Sequence, residues 1–155
     1  MASTITAATM TVKVIETISL NGTAQGATNT LTISSINEIS KRIVSVQTTE
    51  ATIATFSIAI GQGTYIAANV RYIRFTNKDD TNFIMLTFKD EDNTEFRVKL
   101  DAGESFIYNA DINGGLVDTM KANGSALASG LADLYDITAD ADTASCDLEM
   151  FIASV

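Results

Sequence analysis

The sequence predicts an all-β protein, an antiparallel β-sandwich of jelly-roll or Greek-key type, and three observations carry that expectation. Residues 70–109 read as four consecutive strands, 70–76, 83–88, 94–100 and 105–109, joined by polar turns at 77–82, 89–93 and 101–104. These turns are rich in Asn, Asp and, in the last, Gly, residues that bond locally to the backbone or accept a positive φ. The third strand alternates strictly, Phe96, Val98 and Leu100 against Glu95, Arg97 and Lys99, as a strand does with one face buried and one wet. The chain also lacks proline, so no strand is interrupted by a missing amide donor.

In chain order, residues 1–10 are Ala, Thr and Ser with isolated Ile5 and Met10, too little apolar surface for a core of their own. They predict a flexible or strand-adding N-terminal arm, leaving 11–155 as a single β-sandwich domain. Residues 11–20 form a first strand with Val12, Val14, Ile18 and Leu20 on one face, interrupted by Glu16. Asn21-Gly22 is a turn signal, and 23–30, rich in Gly, Asn and Thr, reads as a loop. A short strand follows at 30–36. Apolar residues at Ile36, Ile39 and Ile43 suggest one or two helical turns, passing into a β-branched strand over 43–49. Residues 52–60 alternate again, with Ala54, Phe56, Ile58 and Ile60 together. In the second central strand both Ile84, Leu86 and Phe88 on one side and Phe83 and Met85 on the other are apolar, so its outer face is expected to meet another subunit or layer. Residues 110–130 predict a long loop excursion, 131–137 a short amphipathic segment, 140–143 a turn, and 144–155 a closing strand with Cys146, Leu148, Met150 and Ile152 in phase.

Composition excludes more than it suggests. A chain of 155 residues buries a full core as one domain, and no apolar run approaches the roughly 20 residues of a membrane helix, so no membrane partner is expected. Nineteen acidic against ten basic residues give a net charge of -9, a field that repels nucleic acid. The absence of histidine removes the commonest general base and metal ligand and every Ser-His or Cys-His nucleophile, so no enzymatic activity is expected. Cys146, alone and in a strand, reads as a small buried hydrophobe. Residues 1–6 lack the charged and apolar regions of a secretory signal, which predicts no export by that route.

Several clusters resemble sites. Asp90-Glu91-Asp92-Asn93-Thr94-Glu95 is rich in oxygen, but Glu95 and Asp101 occupy the positions where a calcium-binding EF-hand loop needs Gly and Glu; it reads as a solvated hairpin tip. Asp136, Asp140 and Asp142 share that weakness. Gly61-Gln62-Gly63 precedes no helix and has no lysine partner, so it is no phosphate cradle, and no cofactor or metal is expected. Tyr65, Tyr72, Phe75, Phe83 and Tyr108 suit either a sugar-stacking platform or the core, with packing favoured in a chain without Trp. Arg71 and Arg74 are expected to pair across strands or to contact an acidic neighbour.

Four phrases carry a family resemblance: Ser40-Lys41-Arg42-Ile43-Val44 through Glu50; Val70-Arg71-Tyr72-Ile73-Arg74-Phe75-Thr76-Asn77 with Asp80-Thr81-Asn82-Phe83; Leu100-Asp101-Ala102-Gly103-Glu104-Ser105-Phe106; and Ile137-Thr138-Ala139-Asp140-Ala141-Asp142-Thr143. From about residue 36 the chain resembles small virion structural proteins of tailed bacteriophages, most strongly those of marine cyanophages. The resemblance implies a non-enzymatic homo-oligomeric protein, assembled in the host cytoplasm into the virion, where it serves as a capsid decoration (cement) protein on the phage major capsid protein. Alternatives are a tail or fibre component, or a carbohydrate-binding module for host attachment. The candidate interface comprises Thr4, Ile5, Thr6 and Met10, which could add a strand to a neighbour's sheet edge, with Arg71, Arg74, Phe83 and Met85.

Overall fold

The computed structural model describes residues 5–59, 61, 63–109, 117–118 and 132–155. Among these the protein is almost entirely strand, with one 3-10 turn at Ala67–Asn69 and no α-helix. The strands are β1 (Ala8–Ile15), β2 (Ser19–Leu20), β3 (Thr23–Ala24), β4 (Thr28–Ile36), β5 (Glu38–Val46), β6 (Ala51–Ser57), β7 (Thr64–Ile66), β8 (Val70–Asn77), β9 (Ile84–Asp90), β10 (Glu95–Leu100), β11 (Ser105–Asn109), β12 (Val117–Asp118), β13 (Ala132–Ala141) and β14 (Cys146–Ser154). The all-β sandwich expectation holds. One sheet has the order β10-β9-β13-β6-β7, with β12 added to β13, and the other has the order β11-β8-β14-β5. The chain crosses repeatedly from one sheet to the other.

One core lies between the sheets. Ile73 and Phe75 of β8 with Leu148, Met150 and Ile152 of β14 meet Ile84, Leu86 and Phe88 of β9 and Ile137 of β13, all essentially without solvent exposure. Phe88 is its hub: its ring stacks on Phe96 at 4.7 Å, meets Phe75 edge-on at 6.2 Å and touches Phe106 at 5.3 Å. Aromatic pairs in such geometries add about 0.5–1.5 kcal/mol each beyond burial. The alternation of β10 is as expected, with Leu100 buried and Phe96 and Val98 packed against the core.

At one end of the sandwich the turns are tied together by a buried side chain. Asn77 has no solvent exposure, and its amide nitrogen donates towards the carbonyls of Asn82 (2.9 Å), Leu100 (3.2 Å) and Asp101 (3.3 Å). Its side-chain oxygen accepts from the Asp79 amide at 3.0 Å, and its own backbone N–H donates to Glu104 at 2.9 Å. One residue thereby fixes the β8–β9 turn against the β10–β11 turn.

Several expected elements differ. The helical turns over 36–43 are strand: β4 runs to Ile36 and β5 starts at Glu38. Ile39 and Ile43 lie on one face of β5 with solvent-exposed side chains, so their spacing coincides with a helical period by chance. The 23–30 loop is the returning half of a hairpin. The arm over 1–10 gives up Ala8, Thr9 and Met10 to β1, while residues 1–4 lie outside the described residues, as does nearly all of the 110–130 excursion. Residues 132–137 and 140–141, expected in a short segment and a turn, belong to one ten-residue strand, β13, which sits at the centre of its sheet between β9 and β6, so the turn is confined to residues after Ala141. The 52–60 alternation ends at Ser57, and Ile58 is 95% exposed rather than in phase with Phe56.

Replacing Asn77 with Leu, which fills similar space without polar atoms, takes away the side-chain partner of the buried Leu100 carbonyl and of the part-buried Asn82 carbonyl and Asp79 N–H. The expected loss is about 3 kcal/mol, at roughly 1–3 kcal/mol per unsatisfied buried group. It should appear as a lower urea midpoint at unchanged slope.

Candidate functional site

Among the described residues the largest departure from a plain sandwich is a long β-hairpin formed by β1 to β4. Its tip is Asn21-Gly22, with φ of 51° and 78°, the pair of left-handed residues that a tight two-residue hairpin turn requires. Ser19 pairs with Ala24 and Leu20 with Thr23, and further down Met10 pairs with Ile33 and Val12 with Leu31. Between these ladders residues 16–18 leave the regular pairing, and the two halves are linked by Glu16 N–H to the Ala27 carbonyl (2.9 Å) and Gln25 N–H to the Ile18 carbonyl (3.0 Å). Gly26 permits this approach, since a Cβ there would stand 2.0 Å from the Glu16 carbonyl oxygen. At the base, β4 has one residue more than β1 between the Ala8–Ile36 and Met10–Ile33 pairs, and Ser35 takes φ 63°. Such a bulge bends a strand, here just before the chain enters β5.

The base of the hairpin is seated on the outer face of the four-stranded sheet. Ile33 and Ile36, both buried, and half-buried Met10, Val12 and Leu31 pack around Tyr72, Phe151, Ala153 and Val155; the Tyr72 and Phe151 rings meet edge-on at 6.0 Å. A groove of about 410 Å³ runs beside this contact, lined by Met10, Val12, Tyr72, Arg74, Ile107 and Phe151 among others. From Lys13 to Thr30 every residue is exposed, including Val14 (44%), Ile15 (65%), Ile18 (56%) and Leu20 (60%). Charge is as unevenly placed as apolarity. Residues 1–37 contain one cation, Lys13, and one anion, Glu16, so the whole net charge of -9 lies in 38–155.

The sequence-predicted candidates scatter. Thr4 lies outside the described residues, Ile5 and Thr6 are exposed ahead of β1, and Met10 packs on its own sheet. Arg74 pairs with Glu149 at 2.6 Å, and Lys41 stands 3.6 Å from the same carboxylate; the Arg74 hydrogen bond holds Glu149 below the usual carboxylate range. Arg71 donates to the Ala68 and Val70 carbonyls. Phe83 and Met85 are half-buried on the other sheet, with the Lys99 ammonium 4.7 Å from the Phe83 ring centre. Phe75 and Tyr72 are buried, and Tyr65 and Tyr108 pack against the core, so these aromatics do not form an open stacking platform. Cys146 is buried and its thiol is pushed up by burial. Sequence reading missed the hairpin as a unit because its return strand is Thr-, Asn- and Gly-rich; the Asn21-Gly22 signal flanked by alternating residues was the available clue.

The outer face of the larger sheet is polar. Lys89 lies between Glu50 (3.3 Å) and Glu95 (3.8 Å), Arg97 pairs with Asp140, and Thr138 donates to Glu50. Asp136, in the same region, keeps one carboxylate oxygen buried without a partner, and burial pushes its carboxyl above the usual range against the pull of Lys89. Among the described residues no group of three or more His, Cys, Asp or Glu is arranged to hold a metal ion.

The geometry thus defines a class: an acidic, all-β module that carries an uncharged-on-balance hairpin with exposed aliphatic side chains on one face. Compared with known proteins, the chain matches no family model, no curated protein and no solved structure.

Two outcomes are expected. Gly26→Ala forces the hairpin strands apart at Glu16, so amide exchange quickens over 14–28 while the sandwich core stays protected. Asp136 has a raised folded pKa, so its favourable contribution is complete below the unfolded pKa and is lost as pH rises through the folded one. Asp136→Asn should therefore raise the urea midpoint at pH 7, with the gain vanishing on acidification below about pH 4.

Proposed function

We propose that this chain is a structural protein of a tailed-phage virion, a capsid decoration protein bound in many copies to the major capsid protein of the head. The observation that carries the adhesive part of this reading is the hairpin. Exposed aliphatic side chains on a projecting ribbon cost solubility unless they are used, and the pairing of β1 with β4 holds them away from the sandwich without requiring their burial.

The virion itself rests on the resemblance of four sequence phrases. These fall on β5, β8, the β10–β11 turn and the end of β13, three of them around the Asn77 network. They are scaffold, so they support a shared sandwich, and the hairpin supplies what the scaffold is for. Assembly through repeated weak contacts needs neither a cofactor nor a catalytic group, and virion assembly in the host cytoplasm belongs to the same reading.

The test is addition of purified protein to undecorated phage heads, with bound copies counted and labelled in electron micrographs. Wild type should cover the head. Ile18→Asp with Leu20→Asp should weaken binding by more than tenfold, since burying each Leu or Ile is worth roughly 1.5–3 kcal/mol. Label confined to the tail, or occupancy indifferent to these substitutions, would set the decoration reading aside.

A further inference from the structure

One opening onto the core lies apart from the hairpin. A pocket of about 170 Å³ sits where β6 ends and β13 begins. Its floor is apolar, with Phe56, Ala67 and Leu134 all buried, and its rim carries Ile58 (95% exposed), Tyr135 (53%) and the exposed acids Glu91 and Asp133. A β-bulge shapes that rim. The ladder between β13 and β9 pairs Leu134 with Asp90 and Asp136 with Lys89, which leaves Tyr135 as the extra residue. A bulge re-aims the side chain it carries, and here Leu134 enters the core while Tyr135 stays at the opening. The Glu91 N–H donates to the Asp133 carbonyl at 3.1 Å, which fixes the two acidic residues side by side.

No cation of the chain answers these acids among the described residues. Lys41, Arg74, Lys89, Arg97 and Lys99 pair with other carboxylates, and neither Lys nor Arg lines the pocket. A third carboxylate adjoins them. Asp90 is 2% exposed and in phase with core-facing Leu86 and Phe88. One of its oxygens accepts the Thr94 N–H at 2.7 Å, and the other is buried without a partner. Asp90 stands opposite Leu134, so the unmatched oxygen belongs to the same inner row as the pocket floor. A buried carboxylate oxygen is costly until a cation or a donor meets it.

We propose that this pocket binds a primary alkylammonium group the size of a lysine side chain, carried by a protein or by a free amine. Size, charge and lining select it together. The volume is close to the roughly 150 Å³ that holds a six-carbon ring and well below the roughly 300 Å³ at which pockets enclose larger ligands. An anion is repelled by Glu91 and Asp133, and a neutral group leaves them unanswered. A hard divalent ion needs about six or more oxygens, whereas an aromatic ring and an aliphatic floor make up most of this lining, and no described group of three or more His, Cys, Asp or Glu is arranged to hold a metal. The ammonium head takes Glu91 and Asp133 as partners beside the Tyr135 ring, whose face attracts a cation. The alkyl stem lies on Phe56 and Ile58, as the stems of long cationic side chains do on apolar surface. None of these residues belongs to the hairpin, so the site stands or falls apart from head binding.

The test is amide NMR of the isotope-labelled full chain, titrated with n-butylammonium to about 10 mM, since a small open site belongs at the millimolar end of the affinity scale. Amides of residues 56–58, 67, 90–92 and 133–135 should shift together and saturate. n-Butanol, the neutral counterpart, and butyrate, the anion, should each bind at least about tenfold more weakly. Glu91→Gln/Asp133→Asn should weaken n-butylammonium binding by about fivefold and Tyr135→Ala by about threefold, while Tyr135→Phe, which keeps the ring face, should leave it unchanged. All three positions are exposed, and unmoved amide signals elsewhere confirm the fold. Capped lysine (acetyl-lysine methylamide) and putrescine separate the two sources: tighter binding of the first names a protein side chain, and of the second a free amine. Shifts that do not saturate, n-butanol binding as well as n-butylammonium, affinity indifferent to Glu91→Gln/Asp133→Asn, or a stronger response of the same amides to calcium each overturns the proposal.

Discussion

The fold closes on a single buried amide. Two sheets joined by so many crossings stay in register only if their turns are held against one another, and at one end Asn77 does this by serving the β8–β9 and β10–β11 turns at once. Further backbone bonds at that end, Lys78 to Asp147, Ala141 to Gln47 and Asp142 to Phe83, bring in β14, β13 and the β5–β6 turn. A buried amide in low dielectric is strong when every partner is matched and costly when one is missing. The arrangement therefore favours one register over its neighbours, because a slip of one residue would turn Asn77 out of the core and leave its carbonyl partners unmatched. The hairpin leaves from the other end of β5, so its position depends on this network only through the rigidity of the sheet it rests on.

The two outer faces use different means of meeting solvent. On the larger sheet, Arg97 with Asp140, and Lys89 with Glu50 and Glu95, cover the strands with charge. Such exposed pairs contribute little each, about 0–1 kcal/mol, but they make that face an unsuitable place for apolar contact. This explains why Phe83 and Met85, aliphatic or aromatic by type, end half-buried beneath Lys99 and its neighbours. The smaller sheet instead carries Tyr72, Phe151 and Ala153 outward, and it is this face that the hairpin base covers. An apolar face needs a cover, and the hairpin root supplies it for the middle strands only.

What was legible in the sequence follows from local chemistry. The strand at 105–109 has the bounds expected of it because polar turns precede it and its alternation is intact. β13 was hard to read because its ladder with β9 shifts between Leu134 and Asp136, which breaks the period, and because Asp133, Asp136 and Asp140 suggest turns. β3 and the start of β4 look like loop because their Thr, Ala and Asn residues have no core to face; pairing alone makes them strand. Ile36, Ile39 and Ile43 show the converse, since helical spacing across a bend between two strands carries no information about a helix. The hairpin as a contact element was invisible for a physical reason: exposure of Ile15 and Leu20 is a tertiary fact, and by type these residues read as core.

The same geometry decides how β5 can be used. It is the edge of its sheet among the described strands, and a free edge ordinarily invites another chain to add a strand. Here Arg42 reaches to the Ile53 carbonyl and Ser40 bonds Tyr65 at 3.0 Å across the gap to the other sheet, so side chains span the open side of the sandwich, and Lys41 adds a further charge beside it. Both devices oppose strand addition. Ile39 and Ile43 point out of the sheet rather than along its edge, with Lys41 between them on the same face, 3.6 Å from the Glu149 carboxylate.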